Sequence, residues 1–295
     1  MYFILSFIQG FTRLPDLRRN SRLDQNYNSL LNSFVTTSSS DLVVLSRLLL
    51  EAPIVTEQVC DQLCIICRDE HRCNWSMGLL RDLIIRRPTR QKLFLNALLS
   101  HTTYESDVIR ERAIGHVLDL YKQDDLKLLI DEYVNKNLDH LKQLHPPDKF
   151  FGHSQGRLEG EDTWSDDLVK ACLQPYMHLI PHNQKLIHSL ANVYIQTNAD
   201  IKRVILRLLE SPIRGMGMDS VELLKLVEEC PKGSETLVTR VIHILTDKGT
   251  PSVQLVNRVR DLYNTRVYDV RFLIPVLNGL TKKEVYMYKY HKCMF

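Results

Sequence analysis

The sequence predicts an all-α protein. From Asp41 almost to the C-terminus, apolar residues recur every three to four positions, which places them on one face of successive amphipathic helices. Sustained alternation of apolar and polar residues, the pattern of a half-buried strand, is missing. Prolines fall between the periodic segments, where helices begin or have just ended. These three observations predict a succession of helices.

The apolar series define the predicted helices in chain order. Each series contains four or five residues that share one helical face and are expected to form the core. The series are Val44, Leu45, Leu48 and Leu49; Leu79, Leu80, Leu83 and Ile84; Ile109, Ala113, Val117, Leu120 and Tyr121; Leu126, Leu129, Ile130, Tyr133 and Val134; Leu186, Leu190, Val193 and Tyr194; Ile201, Val204, Ile205 and Leu208; and Leu237, Val238, Val241, Ile242 and Leu245.

Proline spacing predicts how these helices are grouped. In the C-terminal half the breaks recur about every 20–30 residues, so one helix pair of about 40 residues is expected between Pro212 and Pro251. Pairs of this length are typical of HEAT and armadillo repeats, which stack so that each pair buries its neighbour's face. We therefore predict a HEAT/armadillo-like α-solenoid of antiparallel helix pairs.

The repeat pattern covers most of the chain. Residues 1–40 have no clean period and are interpreted as a linker or a frayed N-terminal segment. Residues 41–285 form the predicted helical-repeat domain. Within it, residues 145–164 are rich in proline and glycine and are predicted to form an exposed loop. Three acidic residues, Asp107, Asp200 and Asp269, are each followed by a basic residue and are predicted to start helices.

Composition limits the classes of function. Hydrophobic residues make up 44% and charged residues 25% of the chain, as in ordinary globular proteins. The net charge of +3 is too small, over 295 residues, to favour nucleic acid or membrane as the main partner. No apolar segment approaches the length of a membrane-spanning helix. The seven cysteines are an odd number, and reduced thiols are expected.

A cysteine cluster is the first candidate for chemistry. Cys60, Cys64 and Cys67 are followed by His71 and Cys73, and such sets hold zinc or, in radical enzymes, an iron–sulfur cluster. However, the three cysteines share one helical face, and residues 58–69 contain no glycine or proline that would end the helix. We therefore expect them to pack as small apolar side chains. A metal-binding or radical-type enzyme is the alternative.

Glycine-containing segments are the second candidate. Arg214-Gly-Met-Gly-Met218 and Pro231-Lys-Gly233 lack the lysine, spacing and preceding strand of a phosphate-binding loop. We interpret both as turns between helices, in which glycine permits a positive φ.

A basic corner is the third candidate. Arg86, Arg87, Arg90 and Lys92 place four positive charges around Pro88. Such a corner is typical of solvated cations near a helix C-terminus. Direct RNA binding is the alternative, but no aromatic residues interleave with these charges as in a single-strand platform. We expect any RNA contact to be indirect.

Several segments resemble the symplekin family. Together the similar segments extend over about residues 41–285, and the longest runs lie in the C-terminal half. The segments are Leu79–Gln91, Asn183–His188, Ala199–Arg203, Pro212–Met218, Glu229–Arg240, Val259–Tyr263 and Asp269–Leu280.

The resemblance implies a function. Symplekin-like proteins are HEAT-like scaffolds without catalytic activity in the nuclear pre-mRNA cleavage and polyadenylation machinery, including histone pre-mRNA 3′-end processing. The implied partners are the endonuclease subunit of the cleavage and polyadenylation specificity factor, that subunit's inactive paralogue, and the cleavage stimulation factor. The family's N-terminal HEAT domain has no counterpart here, and residues 286–295 diverge. We therefore expect a C-terminal part of such a scaffold.

These inferences place the expected contact surface in the C-terminal half. No catalytic residue, cofactor or metal ligand is predicted. Helical solenoids bind partners in grooves between helix ends, so the turns and the helix expected around Arg271–Leu277 are candidates. The sequence favours a simpler role for them, in which the glycines serve close helix packing and Phe272 lies in the core. The candidate partner-contact residues are Arg214, Gly215, Met216, Gly217, Met218, Lys232, Gly233, Arg271 and Phe272.

Overall fold

The computed structural model describes Ser29 and residues 42–52, 55–157, 160 and 162–291, the side chains of 42–44 and 288–291 excepted. The regular secondary structure of these residues is helical, and they contain no strand. The predicted all-α fold is confirmed for this part of the chain. The predicted N-terminal linker (apart from Ser29), Pro53 and the last four residues of the divergent tail lie outside it.

The chain divides into two compact units. Unit 1 comprises residues 1–130 and 153–157, and unit 2 comprises residues 131–152 and 158–295. The helices leading to the division are α1 (Leu42–Glu51), α2 (Glu57–Cys67), α3 (Cys73–Arg86), α4 (Gln91–Ser100), α5 (Asp107–Leu120) and α6 (Asp124–His140). The division therefore falls inside α6.

Unit 2 contains the remaining helices. They are α7 (Asp166–Leu179), α8 (Leu186–Gln196), α9 (Ala199–Leu208), α10 (Glu210–Met216), α11 (Val221–Glu229), α12 (Glu235–Thr246), α13 (Val253–Leu262) and α14 (Lys282–His291). Short 3₁₀ segments connect some of them. They include Asp148–Phe150, Val270–Phe272 and Ile274–Gly279.

Within each unit, helices pack against their next-but-one neighbours. In unit 1, α1 contacts α3, α2 contacts α4, and α3 contacts α5. In unit 2, α7 contacts α9, α10 contacts α12, and α11 contacts α13. A helix in such a row must bury apolar surface on more than one side, which explains why the apolar stripes are wide.

The predicted core residues are largely buried. Leu80, Leu83 and Ile84 of α3 are fully buried, as are Leu237, Val238, Val241 and Ile242 of α12. Residues at the edges of the stripes are half-buried; they are Leu129, Tyr133, Leu208 and Leu245. The 3–4 residue period therefore located the buried faces correctly.

The single helix pair predicted between Pro212 and Pro251 is wrong. Three helices, α10, α11 and α12, occupy this region. Pro212 lies in the first turn of α10, where a backbone N–H has no partner within the helix and proline is tolerated. Proline therefore marks the beginning of a short helix here and does not separate two helix pairs.

The loop predicted at residues 145–164 is not simply exposed. Within unit 1, the Gln155 side chain is buried, accepts a hydrogen bond from Thr103 Oγ1 (3.0 Å) and donates one to the Ser100 carbonyl oxygen (3.2 Å). Glu105 N–H also donates to the Gln155 carbonyl oxygen (2.9 Å). Hydrogen bonds therefore hold the part of this loop around Gln155 against residues 100–105, although its low apolar content predicted exposure.

The predicted helix around Arg271–Leu277 is also wrong in detail. Val270–Phe272 and Ile274–Gly279 are 3₁₀ segments. Pro275 lies near the start of the second segment and has no N–H for an α-helical hydrogen bond. Asp269 caps the first segment by accepting a hydrogen bond from Arg271 N–H (2.9 Å). Asp107 and Asp200 lie in the first turns of α5 and α9, as predicted.

Asn198 provides a test of helix capping. Its side-chain oxygen accepts a hydrogen bond from Ile201 N–H (2.9 Å) at the start of α9. We expect Asn198→Ala to lower the free energy of unfolding by about 1 kcal/mol, because that donor loses its partner. Urea unfolding followed by circular dichroism measures the change.

Asn192→Ala is the matched control. Asn192 is exposed in the interior of α8, where alanine is the better helix former. This variant should be stabilised by a few tenths of a kcal/mol, roughly. A loss of stability of equal size in both variants would contradict the assigned cap.

Candidate functional site

An open groove in unit 2 is a candidate site within the described part of the chain. It lies between α10, α12 and the 3₁₀ segment Ile274–Gly279 and encloses about 440 Å³. We call it the α12 groove. Its lining residues are Glu210, Arg214, Arg240, His243, Ile244, Thr246, Asp247, Ile274 and Pro275.

Helical spacing places the polar side chains of the groove. Glu210 and Arg214 are four residues apart on α10, so they occupy the same face. Arg240, His243 and Asp247 are spaced by three and four residues along α12 and its C-cap. The opposite face of α12 consists of its fully buried core residues. Packing of that face therefore turns the polar face toward the groove.

Arg214 joins α10 to α12 through two ion pairs. Its Nη2 lies 3.0 Å from Glu210 Oε1 and 3.1 Å from Asp247 Oδ2. These contacts raise the pKa of Arg214, with the hydrogen bond to Glu210 as the largest cause. Exposed pairs of this kind contribute little to stability. Their effect is to fix the guanidinium against one wall of the groove.

The charge of Arg240, unlike that of Arg214, is not paired with a carboxylate of the described residues. Its side chain is exposed and makes no hydrogen bond or ion pair with any described residue. His243, one helical turn further on, is also exposed. The α12 groove thus contains one arginine neutralised by two carboxylates and a second arginine whose donors are available.

Part of the groove lining is apolar. Ile274 is 53% exposed and is followed by Pro275, and Ile244 of α12 is a buried member of the same lining. Leu277, further along the same 3₁₀ segment, is 41% exposed. Neighbouring exposed apolar residues next to an unpaired cation are suited to a ligand with both apolar and acidic groups.

The structure brings some of the predicted contact residues together and separates others. Arg214 lines the α12 groove, and the segment that contains Arg271 packs on α12 beside it. Lys232 and Gly233 lie at the opposite end of α12, about 18 Å away for a helix of 12 residues.

Two predicted contact residues are not on the surface. Phe272 is 1% exposed and Met216 is also buried, so neither side chain faces solvent. Both belong to apolar packing, and for Phe272 this agrees with the role in the core that the sequence favours.

The predicted glycine turns are confirmed in part. Gly217 and Gly233 have φ values of 82° and 93°, which glycine adopts without steric cost. Gly215 and Met216, in contrast, belong to α10 and not to a turn. A Cβ at Gly215 would lie 3.0 Å from Pro181 Cγ, so close packing explains this glycine. Met218 Sδ accepts a hydrogen bond from Ser252 N–H at the start of α13 (2.9 Å).

The cysteine cluster lies on α2, as predicted. Cys60 and Cys67 are buried and Cys64 is half-buried, and Cys73 is buried at the start of α3. Burial raises the pKa of Cys67 to about 12. The hydrogen bond between Cys60 and Cys64 raises the pKa of Cys60 and lowers that of Cys64. Among the described residues, no group of three or more potential ligands is arranged for a metal ion.

One member of the basic corner has a structural role. Arg87 donates hydrogen bonds from Nη2 to the carbonyl oxygens of Leu49 and Leu50 (both 3.1 Å) and of Ala52. It thereby satisfies carbonyl groups at the C-terminal end of α1. Arg86, Arg90 and Lys92 are exposed. The corner therefore presents three solvated cations, one fewer than the sequence suggested.

Comparison with known proteins gives no family assignment. Neither a protein-family model nor a solved structure matches this chain. In the part of the chain that the structure describes, every helix is too short or too polar to cross a membrane.

The cysteine environments predict different rates of alkylation. Only the thiolate reacts, and Cys64 has the lowered pKa and the greater exposure of the α2 cysteines. We expect iodoacetamide to modify Cys64 faster than Cys60 or Cys67 in the native protein. Peptide mass spectrometry resolves the three sites. Modification of Cys67 at the rate of Cys64 would contradict its burial, and the urea-unfolded protein, in which all three rates converge, is the control.

Proposed function

We propose that this chain is a non-catalytic helical scaffold that holds a partner protein by a short segment bound in the α12 groove. The observation that carries the proposal is an exposed arginine, Arg240, that has no partner among the described residues and lines the same groove as Ile274 and Pro275. An arginine in this position binds a carboxylate through two parallel N–H donors. The neighbouring Ile274 and Pro275 supply the surface for an apolar side chain.

The dimensions of the groove favour a peptide segment. A space of about 440 Å³ admits a few side chains, and the groove is open to solvent along one side. The ion pairs of Arg214 keep one wall fixed before the partner binds. A preformed wall reduces the conformational entropy lost on binding. The expected ligand is a segment with an acidic residue close to a large apolar residue.

The proposed scaffold is a HEAT-like α-solenoid. Packing between next-but-one helices, found within each unit, is the pattern expected when helix pairs stack. Stacked pairs place helix ends and connecting segments in rows, and binding grooves form between them. The α12 groove, formed by the end of α12 and a connecting 3₁₀ segment, supports this part of the proposal.

The symplekin-like segments suggest the machinery to which the scaffold belongs. We propose a nuclear subunit of the pre-mRNA cleavage and polyadenylation machinery, including histone pre-mRNA 3′-end processing. Its proposed partners are the endonuclease subunit of the cleavage and polyadenylation specificity factor, that subunit's inactive paralogue, and the cleavage stimulation factor. Two similar segments, Pro212–Met218 and Asp269–Leu280, contribute walls of the α12 groove. The proposal gives the chain no catalytic step.

Charge reversal at Arg240 tests this function. The C-terminal region of the endonuclease subunit is the binding partner, and isothermal titration calorimetry measures its affinity. We expect Arg240→Glu to weaken binding about tenfold or more, because an attractive contact becomes a repulsive one. The thermal unfolding midpoint should not change, since Arg240 has no described contact to lose.

Two further charge reversals make the result specific. Lys232→Glu changes an exposed cation at the other end of α12, and Arg90→Glu changes one in unit 1. Both should bind like the unmodified protein. If Lys232→Glu alone weakens binding, the partner lies at the other end of α12; if no variant does, the proposed groove is not the docking site. Loss of RNA binding in Arg90→Glu would instead favour the RNA-binding alternative.

A further inference from the structure

A cluster of hydrogen-bond donors lies in unit 2, away from the α12 groove. Asn137 and His140 come from one face of α6, and Lys149 comes from the 3₁₀ segment Asp148–Phe150. We call these residues the Lys149 cluster. Asn137 is 1% exposed, His140 is half-buried and Lys149 reaches solvent. A polar side chain as buried as Asn137 requires partners for its amide group.

Lys149 fixes the orientation of the Asn137 amide. Lys149 Nζ donates a hydrogen bond to Asn137 Oδ1 at 2.7 Å. The reverse orientation would place the amide donors against an ammonium group, which has donors only. Asn137 Nδ2 is therefore directed elsewhere, and it is buried without a hydrogen-bond partner among the described residues.

His140 adds a second buried atom without a partner. Its Nε2 makes no hydrogen bond within the described part of the chain. The His140 ring stands edge-on to Phe150, with ring centroids 5.8 Å apart. Lys149 Nζ lies 4.7 Å from the centroid of the same Phe150 ring. The imidazole and the ammonium group therefore both contact the same buried ring.

The charges around the cluster are mainly positive. Burial lowers the pKa of Lys149, and Lys136 lowers it further, whereas the buried Cys172 of α7 acts in the opposite direction. Burial likewise lowers the pKa of His140, followed by Lys149, while Gln143 and Asp139 oppose the shift. Asp139 is already paired with Lys142 at 2.7 Å. The cluster therefore has donors and cations in excess of acceptors.

We propose that the Lys149 cluster binds a small inorganic oxyanion, phosphate or sulfate. Lys149 Nζ, Asn137 Nδ2 and His140 Nε2, in the neutral tautomer that carries its proton on Nε2, donate to its oxygens, which accept hydrogen bonds only. Nδ2 and Nε2 are closed to solvent, so the anion enters where the exposed Lys149 side chain moves aside. The bound anion supplies the missing acceptors and offsets the repulsion between Lys136 and Lys149. This site is independent of the scaffold function.

Titration with inorganic phosphate at constant ionic strength tests the site. A ligand that binds only the folded state raises the unfolding midpoint. We expect phosphate to raise it in the full chain and to shift the side-chain amide resonance of Asn137 in ¹H–¹⁵N spectra. Lys149→Met should weaken phosphate binding about tenfold or more, because it removes a charge-assisted hydrogen bond.

Matched variants and anions make the outcome decisive. Lys127→Met removes a partly exposed lysine, paired with Asp124, from the same helix and should leave phosphate binding unchanged. Asn137→Leu keeps the branched shape and the number of side-chain heavy atoms, removes the amide donors and should weaken binding even if its folded state is more stable. An equal response to phosphate in the unmodified protein and Lys149→Met overturns the proposal, as does no response to phosphate or sulfate. Binding of O-phosphoserine without binding of either free ion overturns the assignment to an inorganic anion.

Discussion

Burial of the apolar faces of neighbouring helices is the constraint on which the other features depend. In α12, Leu237, Val238, Val241 and Ile242 are fully buried. Because a helix turns through a fixed angle per residue, burying these positions leaves Arg240 and its neighbours on the opposite face. The polar side of the α12 groove is therefore a consequence of the packing of α12 against α10 and against the 3₁₀ segment Ile274–Gly279. A different apolar pattern on α12 would point the same charges elsewhere, without any change at the charged residues themselves.

The sequence was sufficient for the parts of the fold that depend on local spacing. Apolar periodicity located the buried faces, and Gly217 and Gly233 adopt the predicted positive φ. Prediction from the sequence failed where residues far away in the chain determine the conformation. Gln155 is buried because Thr103 and Ser100, more than fifty residues earlier, provide hydrogen bonds. The proline and glycine content from which the exposed loop was predicted cannot reveal such partners, because it depends only on residues within the segment.

The candidate site was only partly predictable for the same reason. Arg214 and the segment around Arg271 were selected from sequence, and they meet at the α12 groove. Arg240, His243 and Asp247 were missed, although their spacing along α12 was visible. Nothing in one sequence shows that Asp247 faces Arg214, which is 33 residues away. The basic surface was also overestimated from sequence. Arg87 and Arg110 donate hydrogen bonds to backbone carbonyl oxygens, so a count of basic residues gives more surface charge than the structure presents.

The division of the chain inside α6 has a practical consequence for mapping its activities. Domain borders usually coincide with exposed linkers, and fragments are cut there. Here a cut between Ile130 and Asp131 would sever a continuous helix of 17 residues. The new helix ends would expose backbone groups that are hydrogen-bonded in the intact chain. Loss of binding in such a fragment would then report a damaged helix and not the position of a binding surface. Point substitutions on the intact chain, which leave α6 whole, avoid this ambiguity.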